Sequence, residues 1–178
     1  YYPPPKGASE ILGLEVAGEI VEVGKDVKRA KIGDRVCALL PGGGYAQYAA
    51  IPEDMLIPVP ENLSYEQAAA IPEVFLTAYF NLFELGGLKE GYRVLVHAGA
   101  SGVGTAAIQL IREAGAYAYA TAGSKEKIER TLELGAVAGW NYRDGSFLPW
   151  IKEKTDGEGV NIILDFVGAP YFQDNLQS

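Results

Sequence analysis

Gly102, Gly104 and Ala107 stand at the spacing G-x-G-x-x-[GA], inside a run of small residues, HAGASGVGTAA, that spans residues 97–107. The run is preceded by the apolar YRVLV and followed by IQLIREAG. A core segment would need bulkier side chains, and a flexible linker would lack such flanks. At a strand-to-helix turn the same residues have a chemical use. Gly102 permits a tight turn, Gly104 lets backbone approach a pyrophosphate, and Ala107 lets the helix pack close to the strand. The helix that starts there presents free N–H groups and the positive end of its dipole to an anion. Ser101 and Val103 belong to the same turn. The plainer alternative is a tight turn with no ligand.

Where dinucleotide binders specific for NAD place an acidic residue, about 20 positions further on, this chain reads TAGSKEK over residues 121–127. Gly123 and Ser124 occupy the strand end, and Lys125 and Lys127 follow. No carboxylate stands at the tip, although Glu126 is near. A 2′-phosphate would meet lysine and the start of another helix, so the pattern favours NADPH over NADH. The competing reading places the lysines on a solvated helix face.

Other chemistry is limited by composition. Among 178 residues there is one cysteine, Cys37, and one histidine, His97. No internal disulfide is possible, and no cysteine cluster can hold a metal. A net charge of −8 opposes binding to nucleic acid or anionic lipid. No apolar stretch is long enough to span a bilayer, and no signal peptide is visible. His97 ends a strand and is expected to be structural or to lie beside the cofactor.

These residues need elements to position them. Residues 11–59 are strand-like and broken by glycine, which predicts a small antiparallel, barrel-like body. Within it, ILGLEVAGEIVEVG, DRVCALL and YAQYAAI are expected as strands, and Gly42–Gly44 as a bulged hairpin. Helices begin with a capping box, Ser64 to Gln67, and continue through EVFLTAYFNLFEL to a stop at Gly86 and Gly87. From residue 92 strands and helices alternate: strand YRVLVHA, helix 103–114, strand AYAYATA, helix 124–134, a short strand near 136–140, a helix near 147–155 and the strand VNIILDFV. That alternation predicts a parallel sheet. The fold class expected is α/β, with a GroES-like β-barrel part over residues 1–72 and a Rossmann dinucleotide-binding part over 73–178.

The motifs in series, LGLEVAGEIVEVG, IGDRV, GGGYAQYAAIPEDMLIPVPENLSYEQAAAIP, HAGASGVGTAAIQLIREAGA and TAGSKEK, resemble the zinc-free quinone oxidoreductases. These form the zeta-crystallin-like branch of the medium-chain dehydrogenase/reductase superfamily, and the likeness is greatest to its tumour-suppressor-inducible members. The resemblance covers nearly the whole chain. It implies an NADPH-dependent, zinc-free, cytoplasmic reductase of quinones or other conjugated carbonyl compounds, acting as a homodimer. It implies a phosphate turn at Ser101, Gly102 and Val103, and a 2′-phosphate pocket at Gly123, Lys127 and Tyr142 with Ser124 close by. It implies that Thr77 lies near the nicotinamide. A tyrosine before a proline-rich turn lines the cleft in this family, which falls here on Tyr1 or Tyr2 of YYPPP and could hydrogen-bond the developing oxyanion. Zinc-dependent relatives carry Gly-His-Glu where this chain has Gly13-Leu14-Glu15, and leucine cannot ligate a metal. Full family members are about twice as long as one such domain, so the chain is expected to be part of a longer protein, with further barrel strands before it and two sheet strands after it. An alkenal or enoyl reductase, and a non-catalytic NADPH-binding protein, are the alternatives that the same scaffold serves.

Overall fold

A computed structural model describes Pro3 and residues 5–178. Tyr1 and Tyr2 lie outside the described residues. The chain divides into two compact units, residues 1–76 and 77–178.

The first unit holds an antiparallel sheet of three strands, β1 (Glu15–Glu19), β2 (Arg35–Leu39) and β3 (Ile57–Pro58), in that spatial order. Glu15 pairs with Leu39 and Glu19 with Arg35, and Cys37 pairs with Ile57. The strands are shorter than the apolar runs predict. YAQYAAI is not a strand, and the Gly42–Gly44 triplet does not form a hairpin into it. Instead the N–H groups of Gly43, Gly44 and Tyr45 donate to the carbonyls of Ile11, Gly13 and Leu12 at 2.7, 2.9 and 3.0 Å. Two backbones lie against each other there. A Cβ on Gly44 would come within 2.5 Å of the Glu15 carbonyl, so glycine is needed for close approach.

The helical part begins as its capping signal predicts. In α1 (Tyr65–Ala69) the Ser64 hydroxyl accepts the Gln67 N–H at 3.2 Å, and the Gln67 side chain accepts the Ser64 N–H at 3.0 Å. This helix packs on β1 and β2. Cys37, Val59 and Ala68 form the buried cluster between them. The next helix, α2 (Pro72–Tyr79), starts on a proline, and its first turn is held by Glu15, whose Oε1 accepts the Glu73 N–H at 2.8 Å. Residues Phe80–Leu85 widen into a π-type turn before Gly86, whose N–H reaches back five residues to the Asn81 carbonyl at 2.9 Å.

In the second unit the expected alternation is found. Strands β4 (Arg93–Val96), β5 (Tyr117–Ala122), β6 (Ala136–Asn141) and β7 (Ile162–Leu164) form one parallel sheet in the order β6-β5-β4-β7. Helices α3 (Gly102–Glu113), α4 (Lys125–Leu134), α5 (Leu148–Lys154) and α6 (Phe172–Asn175) connect or follow them. Strand side chains alternate between faces. Leu95 and Tyr119 join Phe147, Trp150 and Ile151 in the core on the α5 side. Val94, Val96, Ala118 and Ala120 are fully buried with Ala106, Ala107, Ile108 and Ile111 of α3. Covering both faces explains why these strands are apolar throughout.

Candidate functional site

In a doubly wound sheet, ligands sit beyond the carboxyl ends of the strands where the strand order reverses. Here β4 is the reversal point, with β5 on one side and β7 on the other. The HAGASG turn leaves β4 at that place. Its first residues extend the pairing to both neighbours: His97 N–H donates to Leu164 at 3.0 Å, and Gly99 N–H to Thr121 at 2.8 Å. Between them Ala98 adopts the left-handed backbone region at φ 50°, a conformation that costs about 1–2 kcal/mol for a residue with a Cβ.

Ser101 caps α3, its hydroxyl accepting the Gly104 N–H at 3.1 Å. Ser101 and Gly102 are exposed and Val103 is half-buried. The N–H groups of Gly102 and Val103 have no acceptor one turn back in the helix. The mouth of α3 is therefore open and positive. Gly104 has a packing role that the motif does not announce. Its N–H is taken by Ser101, and a Cβ there would lie 2.5 Å from the Ala98 carbonyl and 2.7 Å from the Gly99 Cα. Glycine at 104 serves the close seat of the helix on its own loop. Buried Ala107 serves the same packing. Within the small-residue run, Ser101 and Gly102 are the exposed residues.

The second cluster forms where β5 and β6 end. Ser124 caps α4, accepting the Lys127 N–H at 3.3 Å. Gly123 is buried, while Lys127 and Tyr142 are exposed. The pairing of Ala122 with Asn141 brings Gly123 and Tyr142 together, and the Tyr142 phenol lies directly over Gly123. Lys125 faces Glu129 at 3.8 Å, while Lys127 has no carboxylate partner among the described residues. Thr77 is half-buried on α2, and its carbonyl accepts the Asn81 amide at 2.8 Å.

His97 is a structural hub that the sequence marked only by its position. It is fully buried. Its Nε2 lies 2.8 Å from Asn175 Oδ1, and its Nδ1 lies 3.0 Å from Thr121 Oγ1. The Asn175 amide donates to Asp165 at 3.0 Å. Since the asparagine offers its oxygen to the ring, Nε2 carries the proton and the Thr121 hydroxyl donates to Nδ1. The ring also packs against Phe147 and Tyr171, with centroids 4.7 and 4.6 Å away. Burial pushes its pKa below the ordinary histidine range, opposed in part by Asn175 and the Asp165 charge. The partners Thr121, Asp165 and Asn175 are remote from His97 along the chain, and no spacing pattern announces them.

The chemistry of the metal donors is equally plain. Cys37 is buried, and burial followed by the Glu15 charge pushes its thiol pKa up. Among the described residues no three of His, Cys, Asp and Glu gather as a metal site. No helix among them is long and apolar enough to cross a membrane.

Comparison with known proteins agrees with this architecture. Residues 1–61 match the family described as alcohol dehydrogenase GroES-like domain, and residues 102–178 match zinc-binding dehydrogenase. The structure of Escherichia coli quinone oxidoreductase complexed with NADPH superposes with a TM-score of 0.86 at 35% identity, over 99% of this chain and 54% of that one. The CurK enoyl reductase superposes with a TM-score of 0.86 at 37% identity, over 93% of this chain and 50% of that one. Highly-reducing polyketide synthase 1 of Aureobasidium melanogenum is 40% identical over 167 residues, which are 92% of this chain and 8% of the synthase. The chain thus spans about half of the solved structures it matches and under a tenth of the curated synthases. With a GroES-like part followed by a Rossmann sheet in one chain, the protein belongs to the medium-chain dehydrogenase/reductase superfamily.

Proposed function

We propose that the protein reduces a conjugated carbonyl acceptor, a quinone in the first instance, with NADPH and without zinc. The observation that carries this reading is the pair of open anion-attracting places in the second unit. One is the exposed mouth of α3 at Ser101–Val103. The other is a strand end that offers Gly123, Ser124, Lys127 and Tyr142 and no carboxylate. When bound, NADPH supplies a hydride to the acceptor. The protein's own groups do the rest. The Ser101–Gly104 turn would hold the pyrophosphate through the free Gly102 and Val103 N–H groups. Gly123, Ser124, Lys127 and Tyr142 would receive the 2′-phosphate. By the family resemblance, Thr77 would belong to the nicotinamide end, and Tyr1 or Tyr2 would hydrogen-bond the oxyanion that develops on the acceptor.

The state of the soft donors among the described residues supports the reading without zinc. Leu14 cannot ligate, the Cys37 thiol is buried with a raised pKa, and both ring nitrogens of His97 are bonded. A cytoplasmic homodimer of the tumour-suppressor-inducible quinone oxidoreductase kind completes the reading.

Cofactor titration tests it. NADPH is expected to bind more tightly than NADH, and Lys127→Ala to narrow the gap by about one to two decades, the size of a charge-assisted contact. Equal affinity for both cofactors in the parent protein overturns the assignment. Reduction of an enoyl thioester or alkenal is the second reading, favoured by the 40% identity to a highly-reducing polyketide synthase and 37% to an enoyl reductase. Stopped-flow NADPH oxidation with ortho-quinones against 2-alkenals separates the two. Tight NADPH binding with turnover of no acceptor would instead mark a non-catalytic binding protein.

A further inference from the structure

Two Asp-Gly pairs occur in the chain, Asp144–Gly145 and Asp156–Gly157. Such a pair carries its own chemistry. The glycine nitrogen can attack the aspartate Cγ, since no Cβ on the glycine hinders the approach. Water leaves and a five-membered succinimide closes. Water then adds to one of the two ring carbonyls. One addition returns aspartate, and the other gives isoaspartate, in which the main chain runs through Cβ and is longer by one methylene. No oxidant, reductant or cofactor enters, and the overall composition is unchanged. The attacking nitrogen must be free to move onto Cγ, so an N–H already given to an acceptor opposes the reaction.

Both pairs are exposed, and the backbone separates them. Asp156 and Gly157 follow α5 in the left-handed region, at φ 52° and 81°. There the Gly157 N–H donates to the Lys152 carbonyl at 2.8 Å and closes the helix end. Asp144 ends a single 3-10 turn, Tyr142–Asp144, and the Gly145 N–H meets no acceptor among the described residues. The points around that pair are fixed. Trp140 Nε1 donates to the Gly145 carbonyl at 3.1 Å, and the Ser146 hydroxyl donates to Asp174 at 2.6 Å. We propose that Asp144–Gly145 is a modification site at which isoaspartate forms spontaneously in the folded protein, while the end of α5 keeps Asp156–Gly157 unreactive. The site is independent of which acceptor the protein reduces. The extra methylene lengthens the chain between Trp140 and Ser146, so the bond from the indole to Gly145 is lost. Trp140 stacks on Trp150 with centroids 6.0 Å apart, and its fluorescence reports the change. The product presents an exposed α-carboxylate on a β-linked backbone, the group that an isoaspartyl methyltransferase esterifies with a methyl from S-adenosylmethionine.

Ageing the protein tests the site. The folded chain is held at neutral pH and body temperature for several weeks, alongside a sample unfolded in urea. Peptide mapping with electron-transfer fragmentation then counts isoaspartate at each pair, and an isoaspartyl methyltransferase with labelled S-adenosylmethionine counts the total. In the folded sample residue 144 is expected to convert about tenfold faster than residue 156, the factor set by one backbone hydrogen bond. In urea the two rates are expected to converge, because both N–H groups then face solvent. Asp144→Glu, whose longer side chain would have to close a six-membered ring, is expected to lose most of the methyl incorporation and the slow fluorescence change of the folded sample. A folded protein in which residue 156 converts as fast as residue 144 overturns the proposal. So does one in which residue 144 stays intact while it converts in urea, or in which Asp144→Glu ages with the parental fluorescence change.

Discussion

The two units solve the same packing problem to different degrees. In the second, helices cover both faces of a parallel sheet, and Val94, Leu95, Val96, Ala120 and Ile151 are fully buried. In the first, α1 covers one side of a three-stranded sheet, and the buried cluster is as small as Cys37, Val59 and Ala68. Large apolar residues stay at the surface in both units, Leu12 at 74% and Tyr45 at 80% in the first and Leu85 at 68% and Leu176 at 69% in the second. A broad groove lined by Val16, Ile20, Val21, Val27, Ile51 and Leu56 runs along this unit. Buried apolar area contributes roughly 25 cal/mol per Å², so the first unit draws less stability from its own residues. The open helix starts proposed to hold the nucleotide sit on the well-buried unit. A loop with a left-handed alanine and a helix seated on bare backbone can be held only by a scaffold that is packed from both sides.

The largest expected effect separates the units within one titration. Cys37, the single cysteine, reports on the first unit, and Trp140 and Trp150, the two tryptophans, report on the second. In urea, thiol labelling of Cys37 is expected to begin at lower denaturant than the loss of tryptophan fluorescence. Coincident midpoints would show that the units open together and would remove the contrast. Next in size is Gly104→Ala. The Ala98 carbonyl lies 2.5 Å from the new Cβ and is backbone, so the loss is about 3 kcal/mol. Gly18→Ala in β1, where a Cβ meets nothing within 4 Å, is expected to change stability by less than about 1 kcal/mol. Thermal melts of both variants check the pair.

His97→Leu comes third. It strands Thr121 and Asn175 in a buried site, for a loss of about 2–4 kcal/mol. The pH dependence follows from the depressed pKa. The folded state keeps His97 neutral, and the unfolded chain takes up a proton below about pH 6.5. Stability from this group is therefore complete above that pH and declines as pH falls toward the lower, folded-state value. The parent is expected to lose more Tm between pH 7.5 and 5.5 than His97→Gln does. An equal loss in both proteins would assign the acid sensitivity to carboxylates alone. Smallest of all, Leu12→Ser is expected to shift stability by no more than about 0.5 kcal/mol, because the side chain is already in solvent. A larger loss would show that the exposed face of the first unit is covered in solution.

The Rossmann half was nearly legible before folding was considered. Its strands are apolar runs, helical segments follow them at regular spacing, and its turns carry glycine. Each signal is local, and each agrees with the others. The first unit was read less well. ILGLEVAGEIVEVG promised a strand of more than a dozen residues, and five are paired as β1. Strand length depends on which partner runs alongside, and that partner is remote in the chain. YAQYAAI failed for the same reason: alternation without a neighbouring strand is not a strand.

The sequence by itself determined the alternation of strands and helices from β4 to β7, the helix start that follows the small-residue run, and the absence of an acidic residue between Ala122 and Lys125. These follow from propensity, capping chemistry and charge, which act within a few residues. Only the tertiary structure decided that Gly104 makes room for the Ala98 carbonyl, that His97 ties Thr121 to Asn175, and that the Tyr142 phenol lies over Gly123. Each of those is a close approach between segments that the chain separates, set by the register of parallel strands and by the seat of a helix on a sheet. Short-range patterns state which atoms are available, and packing alone states which of them compete for the same volume.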